Sequence, residues 1–360
     1  MRVLLSGYYG FGNFGDEALL AVIVERLRRR FGPLQLDVLS ATPQATAAAY
    51  GVEATPRWDW PAIRAAIRRA DVVLSGGGGL LQNATSLRSL LYYTEVLREA
   101  VSAKRKTMIF AQSIGPLDFW GRVLVGRFCK GVDRATVRDE RSRALLGAIL
   151  PATTVERTAD PVFLFEPAQD VDLSAEGLGP ESGAYAVVSV RKVPGSRDAI
   201  AVVARAVDRL AQRHGVRAAF LPLAGAADAA VSTDVIRACA SSPVLLPECT
   251  PAHAAAILRG ARFVVGMRLH ALILAAGCAV PFLALAYDPK VSALCEELAY
   301  PLDQLWTAGA PRLDDAGVDA LVDRLVEERE PLEALLRAQA ASARAAAERN
   351  FDAFGELMGS

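Results

Sequence analysis

One feature constrains this chain more than any other: an alternation that runs from end to end. Short β-branched runs take turns with Ala-, Leu- and Arg-rich segments whose apolar residues recur at helical spacing. Residues 2–6 (RVLLS), 34–40, 71–79, 107–113, 135–139 and the TTVER run at 153–157 read as strands. Residues 16–31, 60–70, 87–102 and 140–150 read as helices. In the first of these Leu19, Leu20, Ile23, Val24 and Leu27 share one face. A helix between two strands is long enough to return the chain to the same end of a sheet. The strands are therefore expected to run parallel, with helices covering both faces.

The alternation breaks once, over residues 166–183, which are polar and rich in Gly, Pro and acids. It restarts with strands at 184–190, 216–223, 243–246, 262–266 and 281–287, and helices at 199–214, 231–240, 252–259 and 269–276. From Leu313 onward the pattern is almost wholly helical, and no repeat of domain-building length is present. A chain of 360 residues that is 52% hydrophobic can fill two cores and is not a disordered one. The expected organisation is a first domain over 1–165, a linker over 166–183 and a second domain over 184–312. Helices over 313–360 then either cross back to the first domain or pair with a second subunit. The architecture implied is α/β, with two Rossmann-like parallel-sheet domains facing a central cleft. Ligands of such sheets bind beyond the carboxyl ends of the strands, so the chemistry is to be sought there.

Composition removes several classes. Forty basic and forty acidic residues cancel, which argues against a general nucleic-acid binder. Cys129, Cys239, Cys249, Cys278 and Cys295 are odd in number and form no CxxC, so neither a disulfide framework nor a structural zinc is expected, and a reducing cytoplasm is. The three His residues are not at metal-ligand spacing, and no GxSxG elbow occurs. No metal and no cofactor are therefore expected. The first residues read as a strand and not as a targeting segment. The longest apolar stretch, 271–287, is shorter than the roughly 20 residues a membrane span needs, and Gly277 and Pro281 interrupt it. A soluble cytoplasmic protein is expected, with peripheral contact at the inner face of a membrane left open.

The strand ends carry distinctive residues. After the first strand comes GYYGFGNFGDE, residues 7–17. Gly10, Gly12 and Gly15 formally match GxGxxG, but the first glycine is displaced from the strand end and the second strand does not close on an acid, so a dinucleotide site is a poor fit. Two readings stay open. The loop either presents backbone N–H groups to an anion or sugar, with Asn13 and Asp16 at the helix start, or it is a turn with an N-cap. Four glycines, 76–79, end the DVVLS strand and are followed by Gln82 and Asn83. They fit a close ligand approach at Gly77 and Gly78, or tight packing. Gln112 to Pro116, Arg138 to Ser142 and Asp160 also follow strands, each readable as loop chemistry or as a structural cap or pair.

In the second half, strand 262–266 runs into Met267-Arg268-Leu269-His270 at a helix start. The helix dipole disfavours positive charge there. A bound anion would reverse that penalty, and Arg268 suits bidentate capture of a carboxylate or phosphate. The alternative is a core histidine beside a paired arginine. His214 and His253 read as surface or capping residues. Arg191 follows strand 184–190, and Lys290 follows strand 281–287. Three cations at strand ends of one domain imply a small, multiply charged anion.

GYYGFGNFGDEALL, GGGGLLQN, SIGP, VRDERS, TADPVF, GMRLHALILAA and YDPKV, in this order, resemble the bacterial polysaccharide pyruvyltransferases, most nearly the type that pyruvylates the cell-wall polymer anchoring S-layer proteins. The resemblance spans about residues 3–300. It implies a GT-B-like fold, phosphoenolpyruvate as donor and a sugar acceptor, commonly N-acetylmannosamine on a lipid-linked precursor. It implies that Arg268, Leu269 and His270 meet the donor, that Arg191 helps hold it, and that the first domain takes the acceptor, and the strand-end reading adds Lys290 to the donor's cations. On this reading His270 is the acid, and Asp16 or Asp160 deprotonates the acceptor hydroxyl. Residues 224–235 (AGAADAAVSTDV) depart from the more polar stretch of relatives, which bears on acceptor recognition. The rival is a nucleotide-sugar glycosyltransferase on the same scaffold. A nicotinamide oxidoreductase and a non-catalytic sugar-binding module are weaker alternatives.

Overall fold

A computed structural model describes residues 1–84, 86–167, 171–179, 181, 183–193 and 196–359. The chain divides into two compact units, one of Met1–Phe165 with Ala343–Ser360, the other of Glu166–Ser342. Parts of the expected linker, residues 168–170, 180 and 182, lie outside the described residues.

In the first unit β1 (Arg2–Tyr9), α1 (Phe14–Phe31), β2 (Gln35–Ser40), α2 (Pro43–Tyr50), β3 (Glu53–Pro56), α3 (Trp60–Arg69) and β4 (Val72–Gly78) are followed by α4 (Leu87–Ser102), β5 (Lys106–Gln112), α5 (Phe119–Phe128), β6 (Arg134–Val137), α6 (Glu140–Ile149) and β7 (Thr154–Arg157). The strands form one sheet in the order β3-β2-β1-β4-β5-β6-β7, with every pair parallel. Strand residues alternate between two cores, as the two-residue period of a strand requires. Leu4, Val73 and Ile109 face α3, α4 and α5 through Ile63, Leu97 and Val125. Val3, Leu5, Val72, Leu74 and Phe110 face α1 through Leu20, Ile23 and Leu27.

The second unit contains β8 (Tyr185–Ser189), α7 (Ser196–His214), β9 (Arg217–Phe220), α8 (Gly225–Ala238), β10 (Val244–Leu245), α9 (Pro251–Gly260), β11 (Phe263–Gly266), α10 (Leu269–Gly277), β12 (Phe282–Ala286), α11 (Pro289–Glu297), β13 (Trp306–Thr307) and α12 (Asp315–Glu327). Its sheet runs β10-β9-β8-β11-β12-β13, again parallel throughout. α12 is tied to α7 by Arg205–Asp319 and by Arg209 and His214 on Asp323.

The last helix, α13 (Arg329–Gly359), begins in the second unit and ends in the first. There Phe351 meets Phe110 at 5.2 Å, Phe354 meets Phe31 at 5.0 Å, and buried Asn350 accepts from the Thr158 hydroxyl at 2.7 Å. These contacts group the end of α13, Ala343–Ser360, with the first unit. Among the described residues no helix is long and apolar enough to cross a membrane.

Several elements were not anticipated: α2, β3, α5, α11 and β13. Each is short. The β3 stretch, EATP, carries no apolar run because an edge strand of four residues buries little. α8 starts at Gly225, six residues before the expected helix, because its first turn is Ala-rich and shows no amphipathic period.

Candidate active site

In both sheets the strand order reverses once, between β1 and β4 in the first unit and between β8 and β11 in the second. Helices leave to opposite faces at such a point, and the diverging loops open a crevice at the carboxyl edge. The glycine-rich loops after β1 and β4 flank the first reversal. The cationic segments after β8 and β11 flank the second.

In the first unit the chain turns at Gly10, whose φ is +79°, and its N–H donates to Glu17 Oε1 at 2.8 Å. Asn13 occupies the N-cap position of α1 but makes no side-chain cap bond, and Asp16 lies inside the first turn. Neither caps the helix as expected, because the Asn13 amide donates instead to the Asp16 carboxylate. Asp16 is buried. Its Oδ1 lies 3.0 Å from where a Cβ on Gly78 would stand, and Leu19 Cδ1 lies 3.0 Å from the same point on Gly77. Both glycines have left-handed φ, +71° and +76°. Tight packing thus accounts for their missing side chains, and Asp16 is held against the β4 turn.

Gln82 and Asn83 are half-buried. Asn83 Oδ1 accepts from the Asp118 N–H at 3.2 Å, joining the loops after β4 and β5. Asp160 is buried against Arg138, which also donates to Ser113 Oγ at 2.7 Å, and its Oδ1 accepts from the Val162 N–H at 2.9 Å. Its carboxylate is committed to an ion pair and to the short 3-10 turn it starts. Asp139 caps α6, accepting from the Ser142 N–H at 2.7 Å.

In the second unit the strand ends of β8, β11 and β12 are neighbours, so Arg191, Arg268, His270 and Lys290 share one sheet edge. Arg191 donates to the Tyr287 hydroxyl at 2.9 Å, and its guanidinium carbon stands 4.6 Å from that ring's centre. It has no carboxylate partner among the described residues. The Arg191 N–H contacts Met267 Sδ at 3.4 Å, and the Met267 N–H donates to the Ser189 carbonyl at 2.8 Å, which locks the β8 and β11 ends together.

Arg268 holds the N-cap position of α10. Its Nε donates to Asp228 Oδ2 at 3.0 Å and its Nη2 donates to Oδ1. Asp228 is 1% exposed, while 17% of the Arg268 side chain remains accessible. The countercharge expected from a bound anion is thus supplied in part by the chain itself, from the first turn of α8. Leu269 and His270 open α10 half-buried, and half-buried Lys290 lies in the first turn of α11, whose N-cap Asp288 accepts from the Lys290 N–H at 2.9 Å.

Two participants went unrecognised in the sequence. Asp228 sits in the stretch read as a departure from relatives, and nothing local marks its pairing with a residue 40 positions on. Tyr287 is quoted within YDPKV, but an aromatic at a strand end signals nothing by itself. Among the described residues no group of three or more His, Cys, Asp or Glu is placed to hold a metal. A cavity of about 580 Å³ opens at the opposite, amino edge of the second sheet, lined by Leu173, Tyr185, Gly260, Arg262 and Arg329. It holds none of these strand-end cations.

Two parallel-sheet α/β units with polar strand-end loops at each reversal define a GT-B-like protein. Solved structures with the same fold include a putative UDP-N-acetylglucosamine 2-epimerase from Listeria monocytogenes, 11% identical over 99% of this chain and 96% of that one, TM-score 0.68. Another is Anabaena Alr3699/HepE in complex with UDP-glucose, 12% identical over 100% and 98%, TM-score 0.62. A third is a UDP-glucosyltransferase from Polygonum tinctorium, 10% identical over 100% and 98%, TM-score 0.62. Identities this low establish the fold alone. Among curated proteins there is no match. Residues 13–289 match the model of the polysaccharide pyruvyl transferases, and the chain belongs to that family of transferases.

Proposed function

We propose that the chain transfers pyruvyl from phosphoenolpyruvate to a sugar of a lipid-linked cell-wall polysaccharide precursor, of the kind that anchors S-layer proteins. The second unit takes the donor and the first the acceptor. The observation that carries this reading is the gathering of Arg191, Arg268, His270 and Lys290 at neighbouring strand ends of one sheet. Phosphoenolpyruvate presents a carboxylate and a phosphate. Charge-assisted donors on several sides neutralise both.

In the first step a sugar hydroxyl adds to C2 while C3 takes a proton and becomes a methyl group. His270 is the acid in this scheme, half-buried in the first turn of α10 at the same sheet edge as the cations. In the second step a neighbouring hydroxyl of the same sugar replaces phosphate at C2. The departing phosphate leaves with its electron pair, and the hydroxyl proton goes to solvent or to phosphate. The product is a cyclic ketal and inorganic phosphate. Arg191 and Arg268 are arranged to hold charge on the phosphate as the C2–O bond breaks. Tyr287 and Asp228 orient those guanidiniums. Asp160 is committed to Arg138, so Asp16 is the carboxylate assigned to the acceptor hydroxyl.

The test is phosphate release from phosphoenolpyruvate with and without lipid-linked glycan acceptors. His270→Gln is expected to lower turnover by about 10²–10⁴-fold with donor binding retained. Near-normal turnover in that variant removes His270 from the mechanism. Thermal protection by UDP, with no consumption of phosphoenolpyruvate, replaces the reading with nucleotide-sugar transfer.

A further inference from the structure

Beside the first reversal lies an arginine that neither the motifs nor the mechanism uses. Arg57 follows β3 and is 3% exposed. Its Nη1 donates to the Gly7 carbonyl at 2.8 Å and its Nη2 to the Tyr93 hydroxyl at 3.2 Å. It has no carboxylate partner among the described residues. Its countercharge is aromatic instead. The guanidinium carbon stands 4.5 Å from the Tyr92 ring centre, 4.8 Å from Phe11, 4.8 Å from Trp58, 5.5 Å from Tyr93 and 6.0 Å from Tyr8. Burying a charge without a counterion is costly, and cation–π contacts offset only part of that cost.

This arrangement fixes three large rings in water. Tyr8 is 41% exposed, Phe11 40% and Trp58 62%. Tyr8 and Phe11 lie stacked, centroids 4.1 Å apart and planes within 12°. Scattered exposed apolar residues need no explanation, but rings grouped on one buried cation do. They also stand at the carboxyl edge of the sheet: Tyr8 near the end of β1, Phe11 in the loop that leads into Asn13 and Asp16, and Trp58 in the loop after β3.

We infer that Tyr8, Phe11 and Trp58 form a stacking platform for a pyranose ring of the acceptor glycan, held in place by Arg57. The inference rests on the pyruvyl-transfer reading and adds to it the residues that meet the sugar. Three properties select this ligand. The three rings are aromatic and exposed, with Tyr8 and Phe11 stacked on one another, and an exposed aromatic face suits the C–H face of a sugar ring. The Arg57 charge is enclosed, so the platform offers phosphate no accessible cation. Polar side chains for hydroxyl groups, Asn13 and Asp16, follow directly in sequence. Rings already fixed by packing lose little freedom on binding, which favours a weakly interacting neutral ligand.

The experiment is calorimetric titration of the full chain with the disaccharide N-acetylmannosaminyl-N-acetylglucosamine, and separately with UDP. Trp58→Ala is expected to weaken disaccharide binding roughly tenfold, with Trp58→Phe restoring most of it. Tyr8→Ala serves as the second variant, with folding of each checked by circular dichroism. The KM for phosphoenolpyruvate in phosphate release is expected to stay unchanged in both. Absence of disaccharide binding by the unaltered chain overturns the inference, as does equal affinity in Trp58→Ala and Tyr8→Ala. UDP binding that depends on Trp58 and displaces the disaccharide assigns the platform to a nucleobase and also overturns it. If the disaccharide binds through Trp58 but phosphoenolpyruvate is never consumed, the platform stands and the pyruvyl-transfer reading falls. If transfer proceeds with an unchanged acceptor KM in Trp58→Ala, the reading stands and the platform falls.

Discussion

Replacing Asp228 by Asn tests whether the fold itself holds Arg268 in place. The wild-type pair has two N–H···O contacts, from Arg268 Nε and Nη2, and its carboxylate also accepts from the Leu223 N–H at 3.2 Å. Breaking a fully buried pair costs about 3–5 kcal/mol, because an uncompensated charge is left behind. An exposed pair is worth about 0.2–1 kcal/mol. Here Asp228 is 1% exposed but 17% of the Arg268 side chain reaches solvent, so the orphaned guanidinium keeps part of its hydration. Asparagine also retains a neutral acceptor. The expected loss is therefore about 2–3 kcal/mol, between the two limits. The assay is urea denaturation with hydrogen exchange read on peptides of β9, α8 and β11, which localises the loss to the second unit. Arg268→Met alone and combined with Asp228→Asn completes a double-mutant cycle. A loss under about 0.5 kcal/mol, or additive single effects, refutes the claim that this pair sets the arginine's position.

Two further outcomes follow from the geometry. Gly78→Ala is expected to destabilise the first unit by about 1–2 kcal/mol from its left-handed backbone alone, and its Cβ would press on Asp16 Oδ1 at 3.0 Å; unchanged urea unfolding would count against this account of the glycine run. Hydrogen bonding from Arg209 holds the Asp323 carboxyl down at about 2, against an ordinary 3.8, with His214 adding to the effect. A depressed carboxylate contributes stability that is full above its unfolded value and is lost as pH falls through its folded one. Asp323→Asn is thus expected to cost about 0.5–1 kcal/mol at pH 7, a near-surface magnitude, and almost nothing near pH 1, about a unit below the folded value. Chemical denaturation at the two pH values checks it, and a difference that persists undiminished near pH 1 contradicts the assignment.

Much of the architecture was legible in local pattern. Period-two apolar runs and the helical faces between them are set by neighbours in the chain, so the alternation of strand and helix needed no tertiary information. The grouping of Arg191, Arg268, His270 and Lys290 was also legible, because parallel strands place all their carboxyl ends on one edge whatever their order. Strand order itself was not. It depends on which side of the sheet each helix packs, and that decides which loops flank a reversal. The partners of the cations were equally hidden. Asp228 looks like one acid in an Ala-rich helix, and Arg57 like one cation before a tryptophan, until folding brings residues dozens of positions away into hydrogen-bond range. Chain neighbours determine what a segment becomes, whereas burial decides what each charge must pair with, and burial exists only after the sheets and helices have packed.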